Sequence, residues 1–368
     1  MNKTKTLSGL VLALLLISCS TEPAANEPIS LGASLFLSQV EFAFIAEAMQ
    51  QGMDLAVTEI NAQGGVLGRP IRVVYEDDQL DPARAATVAN KLANVDKVPV
   101  AFTGVMNTVK SSGPVFNNAK VPVIILWDAK IPGIGLENLP YVFGTGFSAV
   151  LAGEEMADYA FDTGIRTVAV VSNADDWSDL ISHAFINKFK ARGGQILLDD
   201  QLELKTADFR TVILKSQNAD AIYAPLANNM ATFIRQVHDL GYTGKLFSAD
   251  IITPEVIANA GSASEGLLAT QVDEPNTPEM QKLKALYAQV YGKETDLAPF
   301  VALGYDGVYL VKHAIEKAGK VDAEAIKDAL YATHDFNGVM GRIDIDSFGG
   351  SPKAERVFVV QNGTLVLV

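Results

Sequence analysis

From Ile29 onward, short β-branched runs alternate with longer amphipathic ones, and this alternation restricts the fold more than any other feature of the chain. Strands are predicted at 29–34, 71–75, 98–102, 121–126, 167–171, 195–198, 221–224, 245–248 and 266–270. Helical patterns lie between them at 41–61, 82–94, 148–162, 179–192, 228–240 and 278–291. Asp81-Pro82 and Thr277-Pro278 read as helix starts, a capping side chain followed by a proline in the first turn. Arg192-Gly193-Gly194 and Leu240-Gly241 read as helix stops, where glycine takes the left-handed conformation at little cost. A parallel pair of strands needs a crossover, so strand–helix alternation means parallel sheets with helices on both faces. The pattern falls into two blocks, 29–143 and 144–266, and the chain ends in strands at 357–360 and 364–368. At 368 residues the chain exceeds one compact domain and suits two lobes.

The segment before Ile29 reads as an address. Lys3 and Lys5 precede an apolar run, Leu7–Ser18. About a dozen such residues make a signal-peptide core, whereas a spanning helix needs about 20. The run closes on Leu16-Ile17-Ser18-Cys19, which is similar to the bacterial lipoprotein box. That similarity implies that residues 1–18 are removed and that the Cys19 thiol carries a lipid, whose acyl chains anchor the protein by apolar transfer. Cys19 is the only cysteine in the sequence. Residues 19–28 are polar and proline-containing, as a flexible tether would be.

A formal net charge of −14 argues against nucleic acid or an anionic membrane face as a partner. One cysteine and four scattered histidines, His183, His238, His313 and His334, offer neither a thiolate metal site nor a disulfide. No Walker loop, G-x-S-x-G elbow or H-E-x-x-H pair is present. Gly144-Thr145-Gly146-Phe147-Ser148-Ala149 satisfies a G-x-G-x-x-A pattern, but it lies far from the first βαβ unit, where a dinucleotide loop belongs. No cofactor and no catalytic role are expected.

The most distinctive stretch runs from Gly52 to Ile71: a helix ending in Glu59-Ile60-Asn61, then Gly64-Gly65 and Gly68-Arg69-Pro70-Ile71 opening a strand. Tyr75–Pro82, Phe209–Leu214, Glu265–Leu268 and Gly304–Leu310 add further matches. Together they resemble the leucine/isoleucine/valine-type periplasmic binding proteins of ABC importers, from about Ile29 to the C-terminus. The resemblance implies an α/β fold of two doubly wound parallel-sheet lobes, the type I periplasmic binding protein fold, joined by a three-crossing hinge. The crossings are expected near Gly144, near Leu268–Val272 and near Gly338–Gly341. The N-terminal lobe would comprise 29–143 plus 273–337, and the C-terminal lobe 144–271 plus 339–368.

In that family a hydroxyl after the third strand and backbone groups after the fourth hold the ligand's carboxylate. An acid from the other lobe holds its ammonium, and an aromatic covers it. The matching positions are Thr108, the backbone of Ala129, Asp250 and Trp177, respectively. Lys130 falls where the family places a threonine, and a second ligand carboxylate or Asp128 would be its partner. Phe36-Leu37-Ser38-Gln39, Leu126–Lys130 and Ala227 depart from the family pattern, and Leu80 and Asn107 replace its paired cysteines. The pocket is therefore remodelled. The resemblance implies an amino-acid-like or carboxylate solute, the membrane subunits of an ABC importer as partners, and a periplasmic or cell-surface location. A ligand-sensing subunit of the same fold, and more remotely an exported α/β enzyme, are the competing classes.

Overall fold

The computed structural model describes residues 27–40 and 42–368; the expected signal segment, Cys19 and most of the tether lie outside these residues. The first lobe is built on β1 (Ile29–Leu35), β2 (Ile71–Asp77), β3 (Ala101–Thr103), β4 (Val123–Ile125) and β5 (Val142–Gly144). These pair in parallel in the order β2-β1-β3-β4-β5. Helices α1 (Ala43–Ala62), α2 (Pro82–Asn90) and α3 (Met106–Asn118) connect the first four strands. In β1, Leu31, Gly32, Ala33, Ser34 and Leu35 are all buried in succession, as a strand covered by helices on both faces requires.

The second lobe continues through α4 (Ala149–Asp162), β6 (Thr167–Asn173), α5 (Asp176–Ala191), β7 (Gln195–Leu202), α6 (Arg210–Lys215), β8 (Ala221–Tyr223), α7 (Met230–Asp239), β9 (Lys245–Ser248), α8 (Pro254–Ala260) and β10 (Leu268–Gln271). The chain then returns to the first lobe as α9 (Pro278–Tyr291), α10 (Ala298–Ala318), α11 (Ala323–Tyr331) and the hairpin β11 (Phe336–Gly338) with β12 (Gly341–Ile343). It finishes in the second lobe with β13 (Arg356–Gln361) and β14 (Thr364–Leu367). The second sheet runs β14-β13-β10-β9-β8-β6-β7, parallel from β7 to β10 and antiparallel through the final hairpin.

Both expected helix starts form as read. Asp81 accepts the Arg84 N–H at 2.8 Å, and Thr277 accepts the Met280 N–H at 3.2 Å. What brings α10 back to the first lobe is close helix packing. A Cβ on Gly52 of α1 would lie 1.8 Å from the Val301 carbonyl oxygen, and one on Gly304 of α10 would lie 2.0 Å from that of Met49. Only glycine lets these two backbones approach so closely.

The first crossing, Gly144–Ser148, runs beside the last. Gly144 exchanges hydrogen bonds with Gly349 and Ser351, and Lys353 pairs with Gly146 and Ser148. Residues Gly338–Gly341, where the sequence suggests the third crossing, instead close the β11–β12 hairpin. The carboxylate of Asp306 on α10 holds its turn, accepting the N–H groups of Val339 and Met340 at 2.8 and 2.9 Å. Ile343 and Ile345 still belong to the first lobe's core. We therefore place the third crossing at Gly350–Lys353.

Candidate functional site

Loops from the carboxyl ends of the parallel strands in both sheets line one cleft of about 930 Å³. That is where a doubly wound sheet gathers its loops and helix N-termini, and so where it binds ligands.

The first lobe contributes Trp127 and Asp128, just after β4. Their segment is pinned on both sides: the Trp127 N–H donates to Gly104, and its carbonyl accepts the Phe147 N–H at 2.6 Å. The indole packs edge-on against Phe300 of α10, with centroids 4.9 Å apart. A Cβ on Gly146 would lie 1.9 Å from the Trp127 carbonyl oxygen. The second glycine of the G-x-G pattern thus lets the first crossing pack against the Trp127 segment, which gives it a role without a phosphate. Asp128 Oδ2 accepts the N–H of Met106, the first residue of α3, at 2.7 Å. First-turn N–H groups have no partner inside their helix and carry the positive end of its dipole, so a carboxylate there is well placed. Burial nevertheless pushes Asp128 up to about 6, outweighing that hydrogen bond.

The second lobe contributes Trp177, near the start of α5, and Asp250, just after β9. Asp175 caps α5, its Oδ1 accepting the N–H groups of Trp177 and Ser178 at 3.0 Å each. Asp250 leans on another acid, Glu355, which stands just before β13. Both carboxyls are pushed upward, first by burial and then by a neighbouring acid: the charge of Asp128 raises Asp250 and the charge of Asp250 raises Glu355, while the hydrogen bond with Glu355 pulls Asp250 part of the way back, so a proton is held between the pair. Glu355 is only 3% exposed. Among the described residues, its Oε2 and the neighbouring Tyr223 hydroxyl are buried without a hydrogen-bond partner.

Of the residues singled out from sequence, Trp177 and Asp250 line the cleft, and Thr108, Ala129 and Lys130 do not. Thr108 is fully buried on the inner side of α3; its hydroxyl donates to the Val105 carbonyl and lies 3.3 Å from the Thr103 hydroxyl. Its neighbours Val105, Met106 and Asn107 face the cleft instead. The N–H of Ala129 is spent on the Phe147 carbonyl at 2.7 Å. Lys130 is 1% exposed, and its ammonium donates to the carbonyls of Leu139 and Val142 at 2.9 and 3.0 Å. Burial pushes Lys130 down to about 8. It ties the loop before β5 to the core rather than reaching a solute. Asp128 and Glu355 take up the chemistry instead. Asp128 was noticed only as a partner for Lys130, and no local pattern singles out Glu355.

Among the described residues no group of acids, histidines or cysteines is placed to hold a metal ion, and no helix is long and apolar enough to cross a membrane.

Comparison with known proteins agrees with this geometry. The family described as "Periplasmic binding protein" matches residues 28–362. A leucine-, isoleucine-, valine-, threonine- and alanine-binding protein of Pseudomonas aeruginosa is 26% identical over 313 residues, which cover 82% of each chain. The crystal structure of a leucine binding protein, LivK, from Thermotoga maritima superposes with a TM-score of 0.82 at 28% identity, covering 92% of this chain and 97% of that one. A solute binding protein of an ABC transporter from R. palustris, solved with benzoate, shares the fold at a TM-score of 0.77 and 20% identity, covering 93% of this chain and 96% of its own. The match spans nearly the whole described chain, and the protein belongs to the periplasmic binding protein family, with the two-lobed architecture of its type I members.

Proposed function

We propose that this protein is the exported solute-binding component of an ABC importer, and that it captures a small amino-acid-related solute between its lobes without transforming it. One observation carries the reading: Trp127 and Asp128 of the first lobe and Trp177, Asp175 and Asp250 of the second line the same cleft. A solute touching both walls makes its full set of contacts only when the lobes approach each other. A ligand shifts an open–closed balance by the difference in its affinity for the two states, so contacts from both sides are what a clamp requires. The names of the relatives, with their amino acids and transporters, support the solute class and the importer. Family membership supports export, and the Leu16–Cys19 motif supports a lipid on Cys19.

Calorimetry of the purified protein against amino acids, amines and aromatic acids tests the binding. A micromolar constant corresponds to about −8 kcal/mol. Recovery of the bound solute unchanged by mass spectrometry is the expected result, and its conversion to product would replace the binder with an enzyme. Incorporation of labelled fatty acid into the wild type but not into Cys19→Ala tests the anchor.

A further inference from the structure

The cleft has already filled two of its anion seats. Five helices start at its lining, α1 and α3 from the first lobe and α5, α7 and α8 from the second, and two of them, α3 and α5, start on an acid. Helix N-termini of this kind ordinarily receive an anionic ligand. Here Asp128 occupies the Met106 N–H, and Asp175 occupies those of Trp177 and Ser178. The lining then adds a third acid, Asp250, with Glu355 buried behind it. Against these stands Lys205, exposed at the rim. A carboxylate approaching the starts of α3 and α5 would find those donors taken and like charges close by, which penalises it.

For a cation the balance reverses. Asp128 approaches from one lobe and Asp250 from the other, and the chain's two tryptophans stand on the same two walls. Indoles are the strongest cation–π partners among the aromatic side chains. A positive group beside Asp250 also supplies the counter-charge that the buried Asp250–Glu355 pair lacks. The acids are not gathered tightly enough to hold a metal ion, and Phe36, Phe42 and Ile45 give the lining an apolar side. Both features favour an organic guest.

We infer that the solute is an organic cation, a primary amine or guanidinium compound with no carboxylate of its own. It is the kind of molecule left when an amino acid loses its carboxylate. This narrows the solute-binding reading and rests on it.

The experiment is calorimetry on purified protein freed of any carried-over solute, with putrescine, agmatine and phenethylamine set against leucine and benzoate. At least one of the three cations is expected to bind at least tenfold more tightly than leucine and benzoate. Asp250→Asn, which keeps the side-chain shape, is expected to weaken it at least tenfold. Asp128→Ala exposes the Met106 N–H, and is expected to weaken the cation while strengthening benzoate. Circular dichroism confirms that each variant is folded; if Asp128→Ala is not, Asp128→Asn replaces it and is expected to weaken the cation alone. Leucine or benzoate binding more tightly than every cation would overturn the inference and leave the solute-binding reading intact. If none of the five binds, mass spectrometry of solute released from freshly purified protein decides: a carboxylate-free cation supports the inference, and a carboxylate overturns it. Neither binding nor released solute would overturn the solute-binding reading, and the inference with it.

Discussion

Each wall of the cleft carries a tryptophan and an acid, Asp128 on the first and Asp250 on the second, and the two acids are held in opposite ways. On the first wall, Asp128 rests on the N–H of Met106, and its backbone neighbour Trp127 is pinned by Gly104 and Phe147. On the second, Asp250 rests on Glu355, an acid against an acid. A carboxylate bonded to a helix N-terminus has its partner in the empty protein. A carboxylate bonded to another buried carboxyl keeps half of the pair from ionising until a positive charge arrives. The first wall is complete in advance, and the second is completed by the guest.

The sharpest way to break this contrast is Asp250→Asn. Truncating one side of a buried charge pair costs about 2–5 kcal/mol of binding. The same change relieves repulsion within the empty wall, so calorimetry should show lost affinity while the melting temperature of the empty protein rises. A fall in both would mean that Asp250 is structural. Next in size is Lys130→Met. It leaves the Leu139 and Val142 carbonyls without their buried donor and should cost about 2–3 kcal/mol of stability, read from denaturant unfolding. Affinity should stay within about twofold of wild type if the lysine lies outside the recognition chemistry, since twofold is a small fraction of a 1.4 kcal/mol decade.

A pH series addresses the first wall. Asp128 is raised from its ordinary 3.8 to about 6, so the folded protein holds this proton more tightly than the unfolded chain. Its contribution to stability is full below 3.8 and is lost as pH rises through about 6. Asp250 and Glu355, which face it across the cleft, titrate with the same sign, and Tyr223 beside them stays neutral. Asp128→Asn should therefore flatten the decline by about 1–2 kcal/mol without abolishing it. Affinity for a cation should rise over the same window, because the acids ionise there. The smallest effect belongs to Thr108→Val, which removes a buried hydroxyl and keeps its shape. About 1 kcal/mol of stability should go, with no change in affinity. A loss of affinity would return Thr108 to the recognition scheme.

These contrasts also mark where sequence reading succeeds. The fold was legible because it rests on local signals: hydrophobic period, the Asp81-Pro82 and Thr277-Pro278 caps, and the glycine helix stops. The α9 boundaries predicted from the sequence are those observed, Pro278–Tyr291. Trp177 and Asp250 were legible through the family resemblance, whose matching positions here follow β6 and β9 of the second sheet. Thr108, Ala129 and Lys130 failed for a geometric reason. On a helix or in a tight loop, a shift of one or two residues turns a side chain from the cleft to the core. Asp128 is immediately adjacent to Ala129, and that one step separates a cleft acid from a backbone group spent on Phe147. Glu355 was invisible because its meeting with Asp250 depends on where the third crossing delivers the chain.

The position of Glu355 carries a practical consequence. It lies two residues after Lys353, which is bonded to Gly146 and Ser148 of the first crossing. The acid behind the binding wall thus stands at the edge of the strap that joins the lobes. Anyone refitting this clamp as a sensor for another guest by editing Asp250 also edits the partner of an acid seated beside that strap, and needs to redesign Asp250 and Glu355 together.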